Sequence, residues 1–241
     1  MKQIIKKVLF ISLSVWVLGL YFRDAKPAPD ELLPQLETHP IQKETKKQPF
    51  DVTVNDITYH IKPLYEYELY GLVVSKHEAD SLLDVDHERW GDYLNTVDLC
   101  VIWSTNAFSG IYERLKFSSG SWTCYAESSS WEDWSHFSMT QLSNNHMLSD
   151  RRDINRTLRK VRIGDQIHFT GYLVNYSHGN FSRGTSTVRT DNGCETVYVE
   201  NLSILQSGPV IWLLLRRLAL FGIVLCVVAW FAMPDKYHAL S

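Results

Sequence analysis

The stretch VRIGDQIHFTGYLV, residues 161–174, carries the clearest structural pattern in this chain. A Gly-Asp turn is followed by apolar residues at every second position, namely Ile167, Phe169 and Leu173. Such alternation is typical of a β-strand that buries one of its faces. Gly171 interrupts the run, and a glycine inside a strand indicates a bulge or a bend. We therefore predict a bent strand at these positions.

Further segments of β-like composition lie on both sides of this strand. They comprise a hairpin over 52–61 with its turn at Asn55-Asp56, and strands over 64–75, 97–103, 122–126 and 195–205. Apolar residues spaced four and three apart predict one helix over 150–161. Many short strands with few helices indicate a mainly β domain, with α+β as an alternative. We expect a small barrel or sandwich with one or two short helices, flanked by terminal transmembrane helices.

Both ends of the chain are apolar. Residues 8–22 carry no charge and follow three lysines, and residues 210–233 are apolar except for an arginine pair at 216–217. Lysines before the first segment predict a cytoplasmic N-terminus and a domain on the outer side of the membrane. A cleaved signal peptide is the alternative for the first segment. A re-entrant or surface-lying helix is the alternative for the second, because its arginines conflict with that orientation.

These features divide the chain into five parts. We expect a signal anchor over 1–23, an extended linker over 24–49, a β-rich globular domain over 50–207, a transmembrane helix over 208–233 and a tail over 234–241. The linker prediction rests on its content of Pro, Lys, Glu and Gln. At 241 residues and a net charge of −3, the chain has no basic field that would indicate nucleic-acid binding.

Four cysteines restrict the redox chemistry. Cys226 lies in the C-terminal apolar run, where it is expected to be a small buried hydrophobe. Cys100, Cys124 and Cys194 lie in the soluble part, so one disulfide and one free thiol are possible in an oxidising compartment. The sequence leaves open which two would pair.

Candidate catalytic residues are Cys194, His146 and Glu195. A cysteine nucleophile needs a histidine within hydrogen-bond reach to form its thiolate. His146 follows Asn144-Asn145, and we expect this polar run to lie in a loop before the helix. In the alternative interpretation, Cys194 is packed or disulfide-bonded and His146 packs or caps locally.

Candidate ligand-binding residues are Asn145, Trp131, Trp134, Arg183 and Arg189. The arginines lie in a run of hydroxyl residues and glycine that could hold an anion, although a polar hairpin edge is the alternative. The tryptophans could stack on a glycan or another small ligand, or simply belong to the core. No metal or cofactor is expected, since no metal-binding spacing is present.

Four blocks carry a resemblance: SNNHMLSD at 143–150, VRIGD at 161–165, GYLV at 171–174 and GCE at 193–195. In these blocks and their order, the chain resembles a group of bacterial envelope proteins that have an N-terminal hydrophobic anchor and a β-rich domain. The likeness covers roughly residues 65–205. It implies a location and an intact domain, and it implies no chemistry.

We therefore expect an accessory domain on the periplasmic side of a bacterial inner membrane. It would contact the lipid bilayer and act by binding or assembling with an envelope protein or a ligand, without nucleic acid. The alternative is a membrane-anchored hydrolase or transferase that uses Cys194 with His146.

Overall fold

The computed structural model describes residues 2–79, 85–188 and 194–233. Two compact units are present: Met1–Ala25 together with Pro209–Ser241, and Lys26–Gly208. The predicted tail, residues 234–241, lies outside the described residues.

The first unit is a pair of apolar helices, α1 (Lys2–Tyr21) and α6 (Ile211–Ala232). Phe22, just after α1, stacks on Trp212 at the start of α6, with ring centroids 4.4 Å apart. Lys6 near the start of α1 lies 5.7 Å from the ring of Trp230 near the end of α6, so the two helices are antiparallel. Both are long and apolar enough to cross a membrane, which is compatible with the predicted terminal anchors.

The second unit holds the strands and the short helices. Its described strands are β1 (Ile41–Glu44), β2 (Phe50–Val54), β3 (Ile57–Glu78), β4 (Asn95–Ile102), β5 (Lys116–Gly120), β6 (Thr123–Glu127), β7 (Leu142–Leu148), β8 (Gln166–His178), β9 (Phe181–Arg183) and β10 (Glu195–Gln206). Its α-helices are α2 (Val85–Trp90), α3 (Thr105–Phe108), α4 (Trp131–Ser135) and α5 (Arg152–Lys160). Single 3-10 turns cover Pro29–Glu31, Pro34–Glu37, Ile111–Glu113 and Met139–Gln141.

Eight of these strands form one large mixed sheet. Its order is β1-β3-β4-β7-β10-β8-β9, with β2 beside β3 and a further pairing of β3 with β8. The β7–β10 pair is parallel, and the other pairs in this sheet are antiparallel. Strands β5 and β6 form a separate hairpin. The second unit is therefore a β-rich α+β fold, which was the alternative to the predicted mainly β class, and a closed barrel is not supported. Its described residues hold four α-helices, where one or two were expected.

One face of β8 forms part of the main hydrophobic core. Its three alternating apolar residues are fully buried and cluster with Ile154 and Leu158 of α5. Gly171 lies so close to the backbone of β10 that a Cβ there would be 2.1 Å from the carbonyl oxygen of Tyr198. The pairing register shifts immediately after Val199. The irregularity predicted at this glycine is therefore a close backbone approach, with the bulge in the facing strand.

The predicted first hairpin is present, and its second strand is longer than predicted. Asn55 and Asp56 have φ values of +49° and +62°, as a tight turn between β2 and β3 requires. The second strand of the predicted hairpin and the predicted strand 64–75 are joined in β3, because pairing with β8 continues through Pro63 with only a register shift.

The segment expected to be an extended linker packs on the domain instead. Residues 26–49 belong to the second compact unit, and they include Leu36, which is fully buried. The Leu36 carbonyl accepts a hydrogen bond from the backbone N–H of Ser104 at 2.8 Å. The Leu33 N–H donates to the Gln166 side chain at 2.6 Å. Buried leucines and paired backbone groups outweigh the polar composition that favoured a linker.

Candidate active site

Residues 142–148 form a central strand, so the predicted loop at Asn144-Asn145-His146 is wrong. Strand β7 pairs with β4 on one side and with β10 on the other. The polar residues tolerate burial because their side chains find partners on neighbouring strands. Alternation along the strand places Asn144 and His146 on one face of the sheet and Asn145 on the other.

Cys194 lies directly before β10, beside the same face of β7. The parallel pairing sets Glu195 opposite Asn145 and therefore brings Cys194 level with Asn144. The Asn144 amide nitrogen lies 3.6 Å from the Cys194 sulfur. Cys194 and His146 are also close enough for each side chain to shift the pKa of the other. The structure thus brings together two of the three predicted catalytic residues.

Asp98, on the neighbouring strand β4, lies beside His146, and these two residues together with Cys194 are hereafter called the row. The antiparallel register places Asp98 opposite His146, and its Oδ1 lies 2.7 Å from the Nδ1 of His146. Both side chains are fully buried. Because the carboxylate accepts the proton of Nδ1, Nε2 remains as the nitrogen that can exchange a proton with the thiol. Strand β4, strand β7 and the residue directly before β10 therefore supply a carboxylate, a base and a nucleophile.

Electrostatics favours the charged forms in this row. Burial would raise the pKa of Asp98, but the charge and hydrogen bond of His146 outweigh it, and the pKa is lowered. Burial would lower the pKa of His146, but Asp98 outweighs it, and the pKa is raised. Burial also opposes ionisation of Cys194, yet the neighbouring His146 outweighs it, and the pKa of this thiol is lowered. A lowered thiol pKa is typical of a nucleophilic cysteine.

A second group of buried polar side chains lies beside Asp98, and one of its members, Asn95, is hydrogen-bonded to the Asp98 carboxylate. The Asn95 amide nitrogen donates to Asp98 Oδ1 at 2.8 Å and lies 3.2 Å from Nε2 of His87. Nearby, the Tyr176 hydroxyl donates to Asp92 at 2.7 Å. Burial raises the pKa of Asp92 despite this hydrogen bond. The carboxylate of Asp98 is therefore fixed by Asn95 as well as by the histidine that it orients.

Trp122 borders the thiol from the β5–β6 hairpin. Its carbonyl oxygen lies 3.5 Å from the Cys194 sulfur. Its φ is +61°, a left-handed conformation that is unusual for a bulky residue and is often found at functional sites. A disulfide joins Cys124 to Cys100. The two cysteines follow Trp122 and Asp98 by two positions each, so the bridge fixes this hairpin beside the row.

Arg183 lies at the outer edge of the row. Its Nη2 is 2.7 Å from Nε2 of His146, and its guanidinium carbon is 5.2 Å from the centre of the Trp122 ring. The following segment holds it there, since the Ser186 N–H donates to the Cys194 carbonyl at 2.9 Å. Of the two arginines predicted to bind ligand, this one reaches the site, and Arg189 lies outside the described residues.

Other predicted site residues lie elsewhere. Glu195 is on the opposite face of β10, where its carboxylate accepts a hydrogen bond from Ser143. The Asn145 amide donates to backbone carbonyls of β4 and β7. Trp131 is 82% exposed on α4, and Trp134 stacks against Phe137. The structure does not bring these four residues to the thiol.

The residues that the sequence analysis missed are Asp98, Asn95, Asn144 and Trp122. One signal was available for Asp98, which is the only charged residue in the apolar run over 97–103. A lone carboxylate in a buried strand requires a partner. The other three residues depend on strand register and on the disulfide, and neither can be read from the sequence.

The arrangement suits acyl transfer through a covalent thioester. Among the described residues, no group of three or more His, Cys, Asp and Glu side chains is placed to hold a metal ion. The Asn144 amide, beside the sulfur, could donate a hydrogen bond to an oxyanion. The chain matches no protein-family model, no curated protein and no solved structure.

Proposed function

We propose that this protein is a membrane-anchored, thiol-dependent hydrolase or acyltransferase. Cys194 is the nucleophile, His146 is the general base and acid, and Asp98 orients the imidazole. The observation that carries the proposal is the grouping of Asp98, His146 and Cys194, in which Asp98 is hydrogen-bonded to His146 and His146 lowers the pKa of the Cys194 thiol. The accessory-domain function that the sequence favoured needs no such row.

Each proton in the reaction has a defined donor and acceptor. His146 Nε2 takes the proton of the Cys194 thiol, and the sulfur attacks the substrate carbonyl carbon. The bond to the leaving group then breaks, and the imidazolium returns the proton to that group. Water or an acceptor nucleophile attacks the thioester, its proton passes to His146, and the regenerated thiolate is reprotonated. Asp98 stabilises the imidazolium throughout and keeps its own charge.

We further propose that the domain faces the periplasm of a bacterial inner membrane. Lysines before α1 favour a cytoplasmic N-terminus. The Cys100–Cys124 disulfide suits an oxidising compartment.

The test uses the full-length protein in detergent micelles with p-nitrophenyl acetate and an acetyl thioester as acyl donors. We expect mass spectrometry to detect an acetyl group on Cys194 and optical assays to detect release of the leaving group. Cys194→Ala should abolish both signals. Cys226→Ala is the matched control, because it removes the other free thiol, which is buried within α6. Turnover that persists in a folded Cys194→Ala protein would contradict the proposal.

A second function, binding of an envelope protein, is suggested by one exposed side chain. Trp131 is 82% exposed, and tryptophan is enriched among the residues that dominate protein–protein binding energy. We propose that α4 contacts a partner through it. Trp131→Ala should reduce the crosslinked partner recovered from membranes without changing the acetylation of Cys194. Equal recovery from the variant and the wild type would refute this contact.

A further inference from the structure

The position of Arg183 creates a conflict within the proposed mechanism. Nε2 of His146 has one lone pair, and Arg183 Nη2 lies 2.7 Å from it. While the guanidinium donates to this nitrogen, Nε2 cannot accept the proton of Cys194. The charge of Arg183 also opposes protonation of the ring. Another acceptor that takes over the N–H groups of Arg183 would therefore increase the reactivity of the site.

No protein carboxylate has that role within the described residues, where Arg183 takes part in no ion pair with an acidic side chain. Its guanidinium lies instead against the ring of Trp122, with 5.2 Å between the guanidinium carbon and the ring centre. An arginine that is half-buried against an aromatic face is held in place, and its remaining N–H donors can still reach a ligand.

Arg183 also borders open space. It lines a cleft of about 450 Å³ together with Lys62, Asn175 and Gly184. The cleft also contains Asp51, which is paired with His60 at 2.7 Å. Because the cationic and acidic groups nearly balance, the cleft suits a single negative charge better than a polyanion.

We propose that Arg183 binds a carboxylate of the substrate and thereby leaves His146 free to take the thiol proton. This inference rests on the proposed function and assigns its substrate class: an acyl compound that carries a carboxylate near the reacting carbonyl. A planar carboxylate accepts two parallel hydrogen bonds from a guanidinium, which an imidazole nitrogen cannot do. The exchange of partners therefore raises the fraction of molecules in which His146 can take the thiol proton, above the basal fraction present without a carboxylate ligand.

Two alkylating reagents of similar size test this binding without knowledge of the substrate. Iodoacetate carries a carboxylate and iodoacetamide does not, and both transfer a two-carbon group to the sulfur with loss of iodide. The rate at Cys194 is measured by mass spectrometry in the full-length protein. The ratio of the iodoacetate rate to the iodoacetamide rate is then divided by the same ratio for glutathione. This normalised ratio cancels any change in the basicity or exposure of the thiol.

We expect a normalised ratio of about ten or more in the wild type, as a charge-assisted hydrogen bond provides. Arg183→Gln should bring it to within about twofold of the glutathione value. Arg183→Lys should retain part of the preference, because it keeps the charge and loses the planar fork. Arg156→Gln, which removes an exposed arginine from α5, should leave the ratio unchanged.

Two outcomes would overturn the inference: a wild-type ratio equal to that of glutathione, or an Arg183→Gln ratio equal to that of the wild type. Failure of the proposed function has a different signature. In that case, iodoacetamide would react with Cys194 no faster than with glutathione at neutral pH, whatever the ratio.

Discussion

Replacing Asp98 by asparagine keeps the size of the side chain and removes its charge. Asp98 Oδ1 accepts hydrogen bonds from His146 at 2.7 Å and from Asn95 at 2.8 Å. The carboxylate raises the pKa of His146, and the imidazolium in turn lowers the pKa of Cys194. In Asp98→Asn the imidazolium loses its buried counter-charge. The pKa of the thiol should therefore rise, and less thiolate should be present at neutral pH.

The magnitude follows from the bond that is lost. A hydrogen bond to a charged group contributes about 1.5–3 kcal/mol, which corresponds to roughly a 10- to 150-fold smaller thiolate population. A more basic thiolate is also intrinsically more nucleophilic, which offsets about half of this effect on a logarithmic scale. We therefore expect the alkylation rate of Cys194 by iodoacetamide at neutral pH to fall by roughly 3- to 12-fold.

The assay is site-resolved mass spectrometry of Cys194 after timed alkylation, with circular dichroism to confirm that the variant is folded. Asp153→Asn is the matched control, since Asp153 is an exposed aspartate on α5. An alkylation rate in folded Asp98→Asn equal to that of the wild type would refute the argument. It would mean that the carboxylate does not support the imidazolium.

Three further predictions concern the fold. Leu36→Ala should lower the free energy of unfolding by about 2–5 kcal/mol in urea titrations, because this leucine is fully buried; a change below about 0.5 kcal/mol would contradict its packing on the domain. Gly171→Ala should cost about 3 kcal/mol or more in the same titrations, because its Cβ would lie 2.1 Å from a carbonyl oxygen of β10. Gly120→Ala, whose Cβ would meet its nearest atoms at 3.9 Å, is the control, and equal losses in the two variants would refute the close approach. Replacing both Cys100 and Cys124 by alanine should lower stability by about 2–4 kcal/mol, and an unchanged melting temperature would argue against the bridge.

Local pattern was sufficient where one strand determines its own structure. The alternation in β8 predicted both the strand and its buried face, and Asn55-Asp56 predicted the hairpin turn. Composition gave a wrong prediction for residues 24–49, which were expected to form an extended linker. The prolines and charges of this segment hid Leu36, whose burial depends on groups far along the chain. A polar segment can therefore belong to the domain through a few apolar contacts that composition does not reveal.

The candidate site was predicted in part for a related reason. Cys194 and His146 are residue types with recognisable chemistry, so the sequence could propose them as a pair. Their third partner, Asp98, joins them only through the register of β4 on β7. The same register argument explains Glu195, which is adjacent to Cys194 in sequence but lies on the opposite face of the sheet.

The most direct test of the central claim is the pH dependence of Cys194 alkylation by iodoacetamide in the wild type and in His146→Gln. Because His146 lowers the pKa of the thiol, the wild-type rate should stay high as the pH falls below the range in which ordinary thiols ionise. In folded His146→Gln, the rate should fall away with the titration of an ordinary or raised thiol. Superimposable pH profiles from the two proteins would contradict the account.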